Sequence, residues 1–219
     1  MKAEYIMHMG DDLTVANCAR VSFGKCRDEF DGSNQKGSDD RLIRYLAHHN
    51  HISPFFHPQI MLRVTAPIFV ANQLKRHQVG FAINEVSRRY VDDDPAIWYP
   101  VLWRNRPDVN IKQGSAEEIT DAELAFGLDE CYQHSINVSL DAYEEIIEKG
   151  VAPEMARSVL PQSMETQWIW TGSLYAYARL CRERLAEGAQ QETRDIAQAM
   201  TNIIAPLFPV SWKALMCAD

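Results

Sequence analysis

Cations are scarce in this 219-residue chain, where 22 Lys and Arg stand against 30 Asp and Glu for a formal net charge of −8. A protein that grips many phosphates of a polynucleotide needs a basic face. The charge balance therefore argues against a nucleic-acid polymer as partner, and against lasting attachment to an anionic membrane surface. It leaves room for one small anion, which a few converging Arg can hold. No stretch approaches the roughly twenty apolar residues of a membrane span. Met1-Lys2-Ala3-Glu4-Tyr5 lacks the basic start and apolar run of a secretory signal, so the expected compartment is the cytoplasm. The five cysteines, Cys18, Cys26, Cys131, Cys181 and Cys217, are odd in number and widely spaced, with no C-x-x-C. That suggests neither a zinc ribbon nor a disulfide framework, and most are expected to be small buried hydrophobes in a reducing compartment. Internal repeats and low-complexity tracts are also missing. What is present is an ordinary globular composition, 46% apolar and 24% charged, long enough for one domain over residues 1–219 with its own core.

The pattern along the chain predicts an α+β fold, helix-rich with a small, mostly antiparallel sheet. Residues 4–9 read as a first strand and the polar stretch 25–40 as an exposed loop, with Ser38 capping the helix that follows. Ile60, Leu62 and Val64 alternate against Gln59, Arg63 and Thr65 across 59–65, the period of a half-buried strand. Pro67 then suits the first position of a helix carrying Gln73, Arg76 and His77 near its C-terminal end. Residues 92–114 read as a surface loop. Thr120-Asp121-Ala122-Glu123 has the form of a capping box, opening a helix that Gly150 stops. A short helix should run between Pro153 and Pro161, and a strand over 167–171. A helix over 174–187 should follow, opened by Gly172-Ser173, then a last helix to about 205.

The densest polar segment is Gln73-Leu74-Lys75-Arg76-His77-Gln78, continued by Asn84-Glu85-Val86-Ser87-Arg88-Arg89-Tyr90. Two Arg can grip a phosphate through paired N–H donors, Ser87 can add a hydroxyl, and Asn84 and Glu85 offer the mixed donor and acceptor pattern that reads a base or a ribose. On charge pattern alone, a solvated basic face explains the same residues.

Context favours the functional reading. Arg76-His77-Gln78 through Ser87 resembles the R-H-R-x7-S signature of the flavin-dependent thymidylate synthases. Ala19-Arg20-Val21-Ser22-Phe23, His51-Ile52-Ser53-Pro54-Phe55-Phe56-His57, Ala66-Pro67-Ile68-Phe69-Val70 and Gly150-Val151-Ala152-Pro153-Glu154-Met155-Ala156-Arg157 resemble further blocks of that family, in order and with similar spacing. Two features depart from the family. Gln78 stands where the signature has Arg, with eight residues, 79–86, rather than seven before Ser87. Ser173 and Tyr175 stand where the family has Asn and Arg flavin contacts. These variants are similar to a phage-type branch.

The resemblance implies the family fold, FAD as cofactor, NADPH and methylenetetrahydrofolate as cosubstrates, and a homotetramer with sites built at subunit interfaces. It implies that Ser53, Arg76, His77, Gln78, Ser173 and Arg179 contact the flavin, with His51 beside the ring where folate enters. Gln73, Arg76, Glu85, Ser87, Arg88, Arg89, Arg157 and Arg184 would hold the nucleotide, with Arg157 and Arg184 coming in part from a neighbouring subunit. Arg184, Ser87 and His51 are the candidates for groups touching the reacting atoms, Ser87 as a phosphate or base ligand rather than a nucleophile, because no base is placed to activate it. The expected reaction is reductive methylation of dUMP to dTMP. Its alternatives are methyl or hydroxymethyl transfer to dCMP or dUMP, and a nucleotide-binding homologue without flavin. A metal site on His48 and His51 lacks a suitably spaced carboxylate, and His48-His49 reads better as a polar helix end, so no metal is expected. Cys181 reads as a structural thiol, Trp168 and Trp170 as core, and Arg88 is open to being merely solvated.

Overall fold

The computed structural model describes residues 1–91, 93–110 and 114–217. Strands β1 (Lys2–Met9), β2 (Gln59–Pro67), β3 (Phe81–Glu85) and β4 (Glu165–Ser173) form one antiparallel four-stranded sheet in the order β1-β2-β4-β3. Eight α-helices accompany it among the described residues: α1 (Asp12–Arg20), α2 (Asp39–His48), α3 (Ile68–Leu74), α4 (Ala122–Glu148), α5 (Pro153–Ala156), α6 (Leu174–Arg184), α7 (Gln191–Ile204) and α8 (Pro209–Met216). The helix-rich α+β expectation holds. The chain divides into two compact units, one of Met1, 65–73 and 85–167, the other of 2–64, 74–84 and 168–219.

The larger unit holds the heavier core. Ile60, Leu62 and Val64 are fully buried along β2 while Met61 and Arg63 are not, the period-two pattern of the sequence made physical. Trp168 and Trp170 on β4 are buried as expected, and the Tyr177 hydroxyl donates to the Trp170 carbonyl at 2.8 Å. Gly172 is required by close approach, since a Cβ there would lie 2.4 Å from the Phe81 ring. That ring stacks against Trp170 at 4.5 Å and meets Tyr177 edge-on at 4.9 Å. Around this cluster α2 packs on α8, and α6 lies against α7 and α8. Cys181 is fully buried among them; burial pushes its thiol up to about 12, so it is an inert core residue. The broader expectation for cysteine fails: Cys26, Cys131 and Cys217 are exposed and Cys18 is half-buried, Cys26 on irregular chain, Cys217 at the end of α8, and Cys131 and Cys18 on helices that leave one side open.

Two carboxylates do structural work that the sequence did not reveal. Asp39 has no exposed surface; it pairs with Arg20, lies 3.5 Å from Arg27 Nη1, and accepts from the Asp31 backbone N–H at 2.7 Å. The stretch 25–38 is thus irregular as expected but tied at both ends to a buried anion. Asp12, also buried, accepts from the Val210 and Ser211 backbone N–H groups at 2.8 and 2.9 Å and so caps α8 from the other end of the chain. The sequence reading missed α8 altogether.

In the smaller unit α4 is the long element, with Ile136 and Tyr143 buried seven residues apart on one face. Its cap is Asp121, whose Oδ1 accepts from the Glu123 and Leu124 N–H groups at 3.0 and 3.1 Å, and not Thr120 as the capping-box pattern suggested. Tyr132 on α4 donates to the Trp98 carbonyl at 2.9 Å, and Trp103 donates to Asp129 at 2.8 Å, which fixes parts of the otherwise irregular 93–110 stretch. Of the loop expected over 92–114, residues 92 and 111–113 lie outside the described residues. Among the described residues, no helix is long and apolar enough to cross a membrane.

Asp12→Ala should remove two charge-assisted hydrogen bonds from a helix terminus and lower stability by about 2–4 kcal/mol. Urea unfolding followed by circular dichroism checks this, with the midpoint falling at an unchanged denaturant slope.

Candidate active site

Helix α3 ends at Leu74, one turn earlier than the sequence predicted, and Pro67 belongs to the end of β2. Arg76, His77 and Gln78 therefore sit on a tight connection to β3, a strand the sequence reading did not find. The turn is anchored by its own backbone: His77 N–H donates to the Leu74 carbonyl at 3.1 Å and Phe81 N–H to the Gln78 carbonyl at 3.2 Å. Gly80 carries φ +85°, which a side chain resists, and a Cβ there would come within 2.9 Å of the Ala176 Cβ. The turn thus lies directly on the N-terminal half of α6.

Helix α6 and its cap hold the turn through two side chains and one backbone N–H. Ser173 caps the helix, its Oγ accepting from Ala176 N–H at 3.1 Å, while its own N–H donates to the Gly80 carbonyl at 3.2 Å. Arg179 donates from Nη2 to the Val79 carbonyl at 3.2 Å. Arg184 donates from Nε to His77 Nε2 at 3.1 Å. Ser173 is 2% exposed, and its Oγ serves the cap as an acceptor. Tyr175, the second residue at a departure from the family pattern, packs on Phe56 at 5.1 Å and so secures the Ser53–Phe56 turn to α6.

His77 is 6% exposed. Arginine Nε always bears a hydrogen, so His77 Nε2 must be the unprotonated nitrogen, and the neutral ring keeps its proton on Nδ1. Burial lowers the His77 pKa from the ordinary 6.5; Glu183, whose Oε2 is 3.7 Å away, raises it in part, and Arg184 and Arg179 lower it further. Arg76 and Gln78 flank this buried ring with exposed side chains. His51 is placed otherwise. It is exposed at the end of α2, edge-on to Tyr45 at 6.0 Å, and its N–H closes the helix on the Leu46 carbonyl at 2.8 Å. Ser53 is exposed at the start of the next turn. His48 and His49 form the polar helix end expected of them.

A second group of candidates belongs to the smaller unit. Glu85 Oε1 accepts from the Thr166 hydroxyl at 2.7 Å, and the Val86 N–H donates to the Gln167 carbonyl at 2.9 Å, so strand pairing sets the start of the signature's second half. Ser87 begins a turn in which its carbonyl accepts from Tyr90 N–H at 3.0 Å. Arg89 is exposed and lies over the Tyr90 ring at 5.0 Å. Arg88 is not merely solvated: it is 13% exposed and pairs with Asp93 at 2.9 Å, holding the loop that follows. Arg157 is exposed, its Nε donating to the Glu154 carbonyl at 3.3 Å. Gln73 lies half-buried on the last turn of α3. Among the described residues, no group of three or more His, Cys, Asp or Glu is arranged to hold a metal ion.

The donor set of the larger unit fits a flavin. An isoalloxazine edge alternates hydrogen-bond donors and acceptors, which an exposed Gln78 amide and a neutral His77 can meet, and the exposed Arg76 suits an anionic pyrophosphate. What sequence reasoning missed are Gly80, which lets the turn close, and Glu183, which faces the buried imidazole. Gly80 was visible as the only glycine between Gln78 and Ser87. Nothing local in the sequence announces the pairing of His77 with Arg184.

Residues 4–210 match the family described as thymidylate synthase complementing protein. Proteins named flavin-dependent thymidylate synthase are similar over nearly the whole chain. The one from Thermus thermophilus is 36% identical over 206 residues, covering 94% of this chain and 72% of its own length. Those from Kosmotoga olearia and Thermosipho africanus are 35% and 36% identical over 208 residues, covering 95% of this chain and 86% and 87% of theirs. Among solved structures, a UMP/dUMP methylase, PolB from Streptomyces cacaoi, bound with 5-Br dUMP, superposes with a TM-score of 0.82 at 28% identity, covering 99% of this chain and 95% of that one. The chain belongs to the thymidylate synthase complementing protein family, that of the flavin-dependent thymidylate synthases.

Gly80→Ala should cost about 1–2 kcal/mol from the left-handed backbone alone, and more through the Ala176 contact. Thermal melts should show the loss, and titration with FAD should show weakened binding, because the turn bearing Arg76 to Gln78 can no longer seat on α6.

Proposed function

We propose that this chain catalyses the reductive methylation of dUMP to dTMP, with FAD as cofactor, methylenetetrahydrofolate as carbon donor and NADPH as reductant. The observation that carries the reading is the neutral, buried His77 hydrogen-bonded to Arg184 on a turn whose exposed members are Arg76 and Gln78. Family membership supports it.

In this reading Arg76, His77, Gln78, Ser53 and Arg179 hold the flavin, and Gln73, Glu85, Ser87, Arg89, Arg157 and Arg184 hold the nucleotide. When bound, the flavin supplies a hydride, chemistry no side chain offers. The chain supplies position and charge. Uracil C5 is a weak carbon nucleophile, and a guanidinium donating to a ring carbonyl stabilises the negative charge that develops as C5 attacks. Arg184 suits this task because its Nε is already engaged by His77, which limits the ways the planar group can turn. Ser87 and Arg89 suit the nucleotide phosphate, a hydroxyl donor beside a forked cation. Arg88 acts on the same loop indirectly, through Asp93. Gln78 keeps hydrogen bonding where the signature has an arginine and gives up one charge beside the pyrophosphate, so FAD should bind less tightly than to an Arg-bearing relative. His51, exposed at the mouth of the Ser53 turn, is assigned to the folate side. The fully buried Cys181 is closed to nucleophilic attack on the base. The reading includes a homotetramer, with Arg157 and Arg184 coming in part from a neighbouring subunit.

Protein incubated with FAD and desalted should show flavin absorbance, bleach on addition of NADPH, and convert dUMP to dTMP when methylenetetrahydrofolate is added. Absence of a flavin spectrum at saturating FAD would favour a nucleotide-binding homologue without flavin. Preference for dCMP over dUMP in competing turnover would transfer the reaction to the other pyrimidine.

A further inference from the structure

We infer that His77 is a positioning residue for Arg184: its neutral Nε2 receives the Arg184 Nε–H and so fixes the plane in which the guanidinium meets the nucleotide. The inference rests on the reading of Arg184 as a nucleotide ligand and deepens it. The signature histidine thereby acts on the substrate side through a second residue and not only on the cofactor side.

The geometry has four parts. The two groups lie far apart in sequence and meet at 3.1 Å. His77 is buried to 6% exposure, so water competes weakly for its lone pair. The turn that carries it cannot shift easily, because Gly80 lies against Ala176 and the Val79 carbonyl is held by Arg179. Arg184 closes α6 and is half-buried, so one end of its side chain is set by a helix and the guanidinium by the imidazole.

An acceptor role works only while Nε2 lacks a proton. The charged groups facing the ring are Glu183, Arg184 and Arg179 from α6; on its own turn, Lys75 is drawn onto the Trp168 ring at 5.6 Å and Arg76 is exposed. Protonation would place a third cation beside two guanidinium groups and replace an acceptor with a donor facing a donor. Glu183, 58% exposed and 3.7 Å from Nε2, would then be the ring's natural partner, and the imidazolium would leave Arg184 for it. Burial and the two arginines favour the neutral form, so the hydrogen bond is intact at neutral pH and fails on acidification. The sign for stability is the same: a depressed histidine pKa contributes stability that is complete above the unfolded value of 6.5 and is lost as pH falls from there through the folded value.

The test compares dUMP dissociation constants of the FAD-bound protein with those of His77→Leu, His77→Gln and Arg184→Ala, each checked by thermal melt. His77→Leu should weaken dUMP about tenfold or more, the scale of a lost hydrogen bond to a charged group. His77→Gln, whose amide oxygen can accept but cannot be protonated at these pH values, should keep affinity within a few-fold. Because the dUMP phosphate itself takes up a proton at about pH 6, wild-type affinity should fall on acidification more steeply than that of His77→Gln, whose remaining slope is that of the phosphate. An acid limb equally steep in both proteins overturns the proposal, and it decides the matter even if His77→Leu fails to fold. Weak dUMP binding by Arg184→Ala together with normal binding by a folded His77→Leu overturns the positioning role alone. Normal binding by Arg184→Ala removes Arg184 from the nucleotide site, and the proposal falls with it.

Discussion

One imidazole lone pair, closed off from water and offered to a guanidinium, organises the candidate site of this protein. Around it stands a short turn of six residues, 75–80, that must lie flat on a helix. Each constraint on that turn can be traced to a small number of atoms. Gly80 permits the left-handed backbone and the approach to Ala176, Gly172 lets the Phe81 ring cross β4, and Ser173 closes the helix while its backbone meets the turn. Remove the close packing and His77 becomes solvated, its proton affinity rises toward the ordinary value, and its bond to Arg184 competes with water. The chemistry proposed for the site therefore depends on van der Waals contacts that carry no chemistry themselves.

How far this was legible in the sequence depends on whether the cause was local. Alternation in β2, the Ser38 and Ser173 caps and the Gly150 stop follow from neighbours within a few residues, and the structure agrees with each. The misplacements share a different cause. Thr120 and Asp121 are both good caps, and the choice between them rests on backbone angles that composition does not specify. Helix α8 was missed because its N-terminus is completed by Asp12, nearly two hundred residues away. β3 was missed because the polar residues of its signature, Asn84 and Glu85, mask a strand that is held by pairing.

The site divides in the same way. The identities of Arg76, His77, Gln78, Ser87 and Arg89 stood out as a cluster of cations in an acidic chain, and the ordered blocks gave them a family. Their individual duties did not stand out. Arg88 and Arg89 are adjacent and chemically alike, yet one is spent on Asp93 and the other is exposed. Ser173, expected both to open a helix and to contact the flavin, caps α6 from a buried position. Sequence supplies which groups are present; tertiary structure decides which of them have already been committed to the fold.

The site rests on a neutral His77, with its proton on Nδ1 and its Nε2 accepting from Arg184. Nitrogen-15 NMR of the imidazole, correlating both ring nitrogens with the carbon-bound protons, reads that state directly. The expected spectrum is that of a neutral ring at pH 7 with an unprotonated, hydrogen-bonded Nε2 whose signature is lost in Arg184→Ala. A ring protonated on Nε2 at that pH, whether neutral or charged, would contradict it.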